Sequence, residues 1–188
     1  MGVVFIKSGR LSSPQKWILW GIPIIFLIGS LVHFLYDFSG KNTFVGLIVS
    51  VNESVWEHMK MALLPVILYW SFYYIFAHRK YNIDINKWFT GGLASLITAL
   101  ISMPFLYYFY TGAFGVKLVI VDILILLIAV ASGQLVGLHF YKHSKGISFY
   151  FLLIVFVILI IVFMILTIYP PHIPLFYDEK AGRYGITA

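Results

Sequence analysis

Long uninterrupted apolar runs alternate with short polar segments along this chain, and the length of the runs predicts helices rather than strands. A helix needs about 20 apolar residues, within about 17–25, to cross the hydrocarbon core of a bilayer. Five runs meet that requirement, over residues 17–36, 55–77, 88–110, 118–141 and 147–169. The first holds His33, the fourth carries one acid, Asp122, and the fifth stops at Pro170-Pro171. Thr43–Val51 is apolar but too short to cross alone. It reads as re-entrant or interfacial, and counting it as a crossing gives a rival six-span arrangement. The expected fold is an all-α integral membrane protein, with a transmembrane bundle over residues 1–169 and a short polar tail over 170–188.

Composition makes the solvent explicit. Hydrophobic residues are 61% of the 188 and charged residues 11%, against about 45–50% and about 25% in soluble domains. The partner implied is a lipid bilayer. Thirteen Lys+Arg against seven Asp+Glu give a formal charge of +6, but these basic residues sit at the ends of the runs. They read as topology signals, not as a nucleic-acid surface. The absence of cysteine excludes disulfides, thiolate metal sites and cysteine nucleophiles.

With five spans, eight basic residues fall on one side: Lys7, Arg10, Lys16, Arg79, Lys80, Lys87, Lys142 and Lys145. The other side receives five, Lys41, Lys60, Lys117, Lys180 and Arg183. Short basic segments stay in the cytoplasm, so the expectation is a multi-pass cell-membrane protein with its N-terminus cytoplasmic and its C-terminus outside. The first apolar run is too long for a signal-peptide core and reads as a span.

Ionisable groups near or inside spans carry the functional information, because lipid makes them costly. The richest stretch is Asn52-Glu53-Ser54-Val55-Trp56-Glu57-His58-Met59-Lys60. As a helix it would set Glu53, Glu57 and Lys60 on one face, with Ser54 and His58 beside them. Two Ser-x-x-Glu boxes, Ser50–Glu53 and Ser54–Glu57, equally describe helix capping. His33 and Asp37 lie one turn apart at the outer end of the first span, as a metal pair or an oriented histidine would. The candidate catalytic residues are therefore Glu53, Glu57 and His58, and the candidate metal ligands His33, Asp37, Glu57 and His58. Carboxylate with imidazole suits a divalent ion such as zinc. Asn52, Ser54, Asp122 and His172 are further site candidates, with Lys117, His33, His58 or Lys60 as partners for Asp122.

His139 and His143 also have metal spacing, but 17 residues separate His139 from Asp122, or about 25 Å of helix. That puts them across the membrane from the Asn-Glu-Ser segment. The tail, with its Pro-Pro-His-Ile-Pro-Leu-Phe-Tyr-Asp-Glu-Lys sequence, is expected to fold over the outer mouth and deliver His172 or Asp178.

The heptapeptide Asn52-Glu53-Ser54-Val55-Trp56-Glu57-His58, with Pro171 to Asp178 and Gly182-Arg183-Tyr184-Gly185, resembles an uncharacterised family of small bacterial polytopic membrane proteins, a domain of unknown function. The resemblance implies a bacterial membrane setting and no activity. The His-x-x-x-Asp, Glu/Ser/His and His-x-x-x-His combination is also similar to the zinc-dependent alkaline-ceramidase and progestin-receptor superfamily. This chain departs from it in having five or six spans rather than seven, and in the side on which the last histidine pair falls.

Three functional classes stay open on the residues alone. One is an outward-facing metal site acting on a lipid or lipid-linked substrate. A second is a proton-coupled transporter or channel that uses Asp122, Glu57 and His58, as a homo-oligomer. The third is a non-catalytic membrane scaffold with the tail as a partner-binding peptide.

Overall fold

A computed structural model of the chain describes residues 11–186. Lys7 and Arg10, counted above among the basic residues, lie outside that range, as do Thr187 and Ala188. Five helices are long and apolar enough to cross a membrane: α1 (Ser13–Val32), α4 (Val55–Tyr81), α5 (Ile85–Phe114), α6 (Val119–His143) and α7 (Phe149–Ile168). The all-α bundle read from the apolar runs is the fold observed.

Helix ends follow local chemistry more than apolarity. α4 and α5 outrun the expected 77 and 110, α4 through a basic last turn and α5 through 111–114, which run on until Gly115 turns left-handed at φ 66°. His78, Arg79 and Lys80 occupy the last turn of α4, where cations favour the dipole. Asn82 then stops it in the left-handed region, at φ 48°, and Asp84 caps α5 by accepting from the Lys87 amide at 2.8 Å. The loop before α7 is tied back to α5, since the amides of Ile147 and Phe149 donate to Thr90 Oγ1 and Asn86 Oδ1.

The first span ends four residues earlier than expected. α1 stops at Val32, and after His33 and Phe34 the chain makes a separate single turn, α2 (Leu35–Phe38). Positive φ at Gly40 and Lys41 then turns it into α3 (Thr43–Gly46), capped by the Asn42 carboxamide. Thr43–Val51 is thus one turn and a loop tucked against the bundle end, and no sixth crossing forms among the described residues.

Close approach of small residues holds the bundle together. α5 and α6 share the largest interface, where Gly91 and Gly137 face each other and Gly133 meets the Ser95 carbonyl. Lipid offers no hydrophobic drive between helices, so such contact and buried hydrogen bonds must supply the association. Gln134 donates to Ser95 Oγ at 2.8 Å, and Trp88 Nε1 to the Trp70 carbonyl at 2.9 Å, both buried. α7 is the loosest member, packed mainly on α5 and touching α4 lightly.

The tail is folded. A 3-10 turn (Pro174–Phe176) precedes a two-stranded antiparallel hairpin, β1 (Tyr177–Asp178) with β2 (Arg183–Tyr184). Phe176 is buried against Trp56, which itself stacks on Phe163 of α7. The hairpin therefore closes over the same bundle end as the 33–54 segment.

Candidate functional site

Three ligand-bearing side chains converge at that end. His33 stands at the C-cap of α1, the loop before α4 brings Glu53, and the first turn of α4 brings His58. One ligand atom from each lies within 4.8 Å of the other two, and this is the metal-compatible group among the described residues. His33 Nε2 is 3.1 Å from Glu53 Oε1, and His58 Nε2 is 3.8 Å from Glu53 Oε2. The two imidazoles stack with centroids 5.1 Å apart. Zinc bonds of about 2.0–2.1 Å in a tetrahedron separate ligand atoms by about 3.3 Å, so adjustments of under about 2 Å would close the set on an ion.

Local folding explains why Glu53 faces the histidines. Ser54 is the N-cap of α4, its hydroxyl accepting from the Glu57 amide at 3.3 Å. Helical geometry therefore starts after Glu53, and Glu53 does not share a face with Glu57 and Lys60 as a continuous helix would require. Asn52 sets the turn: its Oδ1 accepts from the Ser54 amide and its Nδ2 donates to the Gly185 carbonyl in the tail. The Glu53 amide donates to Asp178 Oδ2 at 3.1 Å.

The Glu53 carboxylate is ionised across any ordinary pH. The His33 hydrogen bond does most to lower its pKa, burial opposes this, and Lys180 adds to the lowering, leaving it at about 2 against an ordinary 4.5. His33 Nδ1 is buried without a partner, so the ring satisfies most bonds with its hydrogen on Nε2, facing Glu53. Lys180 Nζ reaches Glu53 Oε2 at 2.9 Å, and the neighbouring Glu179 pairs with Lys117 at the α5–α6 loop.

Other expected members stand elsewhere. Glu57 is 1% exposed and turns away from His58 and into the protein. It pairs with Lys60 at 2.8 Å and accepts from the Val51 amide and the Thr167 hydroxyl. Lys60, fully buried, also donates to the carbonyls of Gly46 and Val49. These two charges bolt the 46–51 loop and α7 to α4. Asp37 is exposed on α2 and outside the group of three. It belongs to a different helix from α1, so the one-turn spacing to His33 does not operate.

Asp122 finds Tyr110 in place of the expected cations or histidines, accepting from its hydroxyl at 2.7 Å. His172 is exposed and packs on Tyr184, 4.6 Å between centroids. His139 and His143 sit with rings 4.7 Å apart at the opposite bundle end. Of the tail residues, Asp178 reaches the site loop and Lys180 reaches Glu53. Lys180 carried no sequence signal, because 127 residues separate it from its partner.

The pattern of residues matches a family described only as a family of unknown function, over residues 6–186. The chain belongs to the DUF6512 family. That match takes in both the 52–58 segment and the folded tail of this DUF6512 protein. No curated protein and no solved structure matches it.

Proposed function

We propose that this DUF6512 protein is a metal-dependent membrane protein whose His33, Glu53 and His58 hold a divalent ion at the outer surface of the bilayer. The observation that carries this reading is the convergence of two imidazoles and one carboxylate within 4.8 Å. A His2Glu set leaves the fourth tetrahedral position open, as catalytic zinc sites do. An ion there would supply a water acidified to near neutrality and polarise an ester or phosphoester oxygen. Charge supports a cation as well. Six of the seven acids lie at this end, Asp37, Glu53, Glu57, Asp122, Asp178 and Glu179, against five Lys and Arg.

The substrate reading follows from what surrounds the site. Leu31, Phe34, Leu35, Phe38 and Phe44 are exposed on α1, α2 and α3 at the same bundle end, and lipid is the phase that would cover them. A lipid or lipid-linked substrate would then present its headgroup at the ion. Transport has less behind it, because Asp122 and Glu57 are each bonded to separate partners, Tyr110 and Lys60.

Zinc titration of the purified chain is the test. The intact protein should bind one equivalent that is lost in both Glu53→Gln and His58→Ala. Glu57→Gln tests the alternative ligand and should retain binding wherever it folds. Zinc binding that is absent, or indifferent to Glu53 and His58, removes the proposal.

A further inference from the structure

Both oxygens of Glu53 are already engaged, one by His33 and the other by a cation that belongs to the protein. Lys180 Nζ lies 2.9 Å from Oε2, the oxygen that His58 Nε2 faces at 3.8 Å. An ion shared by Glu53 and His58 would occupy the region that this ammonium now neutralises. We propose that Lys180 is an internal competitor for the metal, and that it sets the concentration at which the site loads. This rests on the His33–Glu53–His58 reading above.

The geometry allows the exchange. The Lys180 side chain is 68% exposed and sits in the hairpin turn, so it can swing into water without unfolding anything. The hairpin keeps its place without the lysine. Asp178 still accepts from the Glu53 amide, Glu179 still pairs with Lys117, and Phe176 still packs on Trp56. Displacement therefore costs the ion pair and little else.

A tethered ammonium also never dilutes away, because its effective concentration is set by the chain, on the order of mM. The cost is the same for every cation that takes Glu53, so ratios between metals are unchanged while every affinity falls. Hard ions such as magnesium gain little from imidazole, so they start weaker and the same penalty takes them below the concentration at which they would load. Ions that bond His33 and His58 well keep enough affinity to load.

The discriminating experiment is calorimetric zinc titration of the full chain at neutral pH, comparing wild type, Lys180→Met and Lys180→Arg. A Glu53→Gln titration is subtracted to remove any signal from His139 and His143. Half-exposed ion pairs lead us to expect K180M to bind zinc about 1.5- to 5-fold more tightly, with K180R close to wild type. A merely structural lysine would move affinity the other way, because its loss would loosen the hairpin around the site. Equal or weaker binding by K180M overturns the competitor while leaving the metal site standing. Zinc binding by neither wild type nor K180M overturns the site reading, and this one with it.

Discussion

At the scale of single residues, the two glutamates of the 52–58 segment have been given opposite tasks by a difference of four positions. Glu53 precedes the helix, reaches partly into water and meets two imidazoles. Glu57 lies one turn inside and has all its partners within the protein. A buried pair is fragile to loss of one member, since the remaining charge is left without its counter-ion, at about 3–5 kcal/mol. Lys60→Met should therefore destabilise the chain by about that amount, read as a lower midpoint in denaturant unfolding of the detergent-solubilised protein. It also frees the carbonyls of Gly46 and Val49. An unchanged midpoint would mean that the pair is not the bolt described. The sequence placed Glu57 among the metal ligands because residue type and spacing carry no record of where Lys60 points.

At the scale of elements, the tail behaves as a separate small unit docked on the bundle. Gly185 sits at φ +61°, and a Cβ there would stand 2.5 Å from the Thr167 carbonyl and 2.9 Å from the Pro170 ring. Ile186 donates to that same carbonyl at 3.0 Å. Gly185→Ala should cost about 1–2 kcal/mol in backbone strain alone, and the clash adds to it. Local docking opens before the whole fold does, so trypsin should cut after Lys180 and Arg183 in the tail several-fold faster while the five helices keep their midpoint. Equal cleavage of wild type and variant would show that the tail is not held there. Short elements such as this hairpin leave little periodic trace in a sequence. Pro170-Pro171 and Gly182 marked turns, but the pairing of Tyr177 with Tyr184 depends on a surface that the bundle provides.

At the scale of the whole molecule, charge is distributed unevenly between the two ends. The end holding the α4–α5 and α6–α7 loops carries Lys16, Arg79, Lys80, Lys87, Lys142 and Lys145 against the single acid Asp84. The site end carries more acids than bases. Basic loops are retained in the cytoplasm, so the site and the tail should face outward. A reporter fused after the last residue should be active if it requires export from the cytoplasm and silent if it requires the cytoplasm. The reverse pattern would turn the molecule over and place His33, Glu53 and His58 inside. Odd numbers of crossings put the two chain ends on opposite sides, and α3 is a single turn rather than a sixth crossing.

The five crossings are legible along the chain because lipid imposes a simple rule. Backbone polar groups must be satisfied within each segment, so length and apolarity together specify a spanning helix. His33, Glu53 and His58 are legible as candidates for the same reason, since ionisable groups at a lipid boundary need an explanation. Their assembly is another matter. Which glutamate meets the histidines depends on Ser54 starting α4 one residue after Glu53, and on α1 ending beside it. The removal of Glu57 to Lys60, of Asp122 to Tyr110 and of Lys180 to Glu53 joins residues up to 127 positions apart. Such pairings are decided by packing in three dimensions, because a side chain bonds to whatever the folded bundle brings within about 3 Å, whatever its distance along the chain.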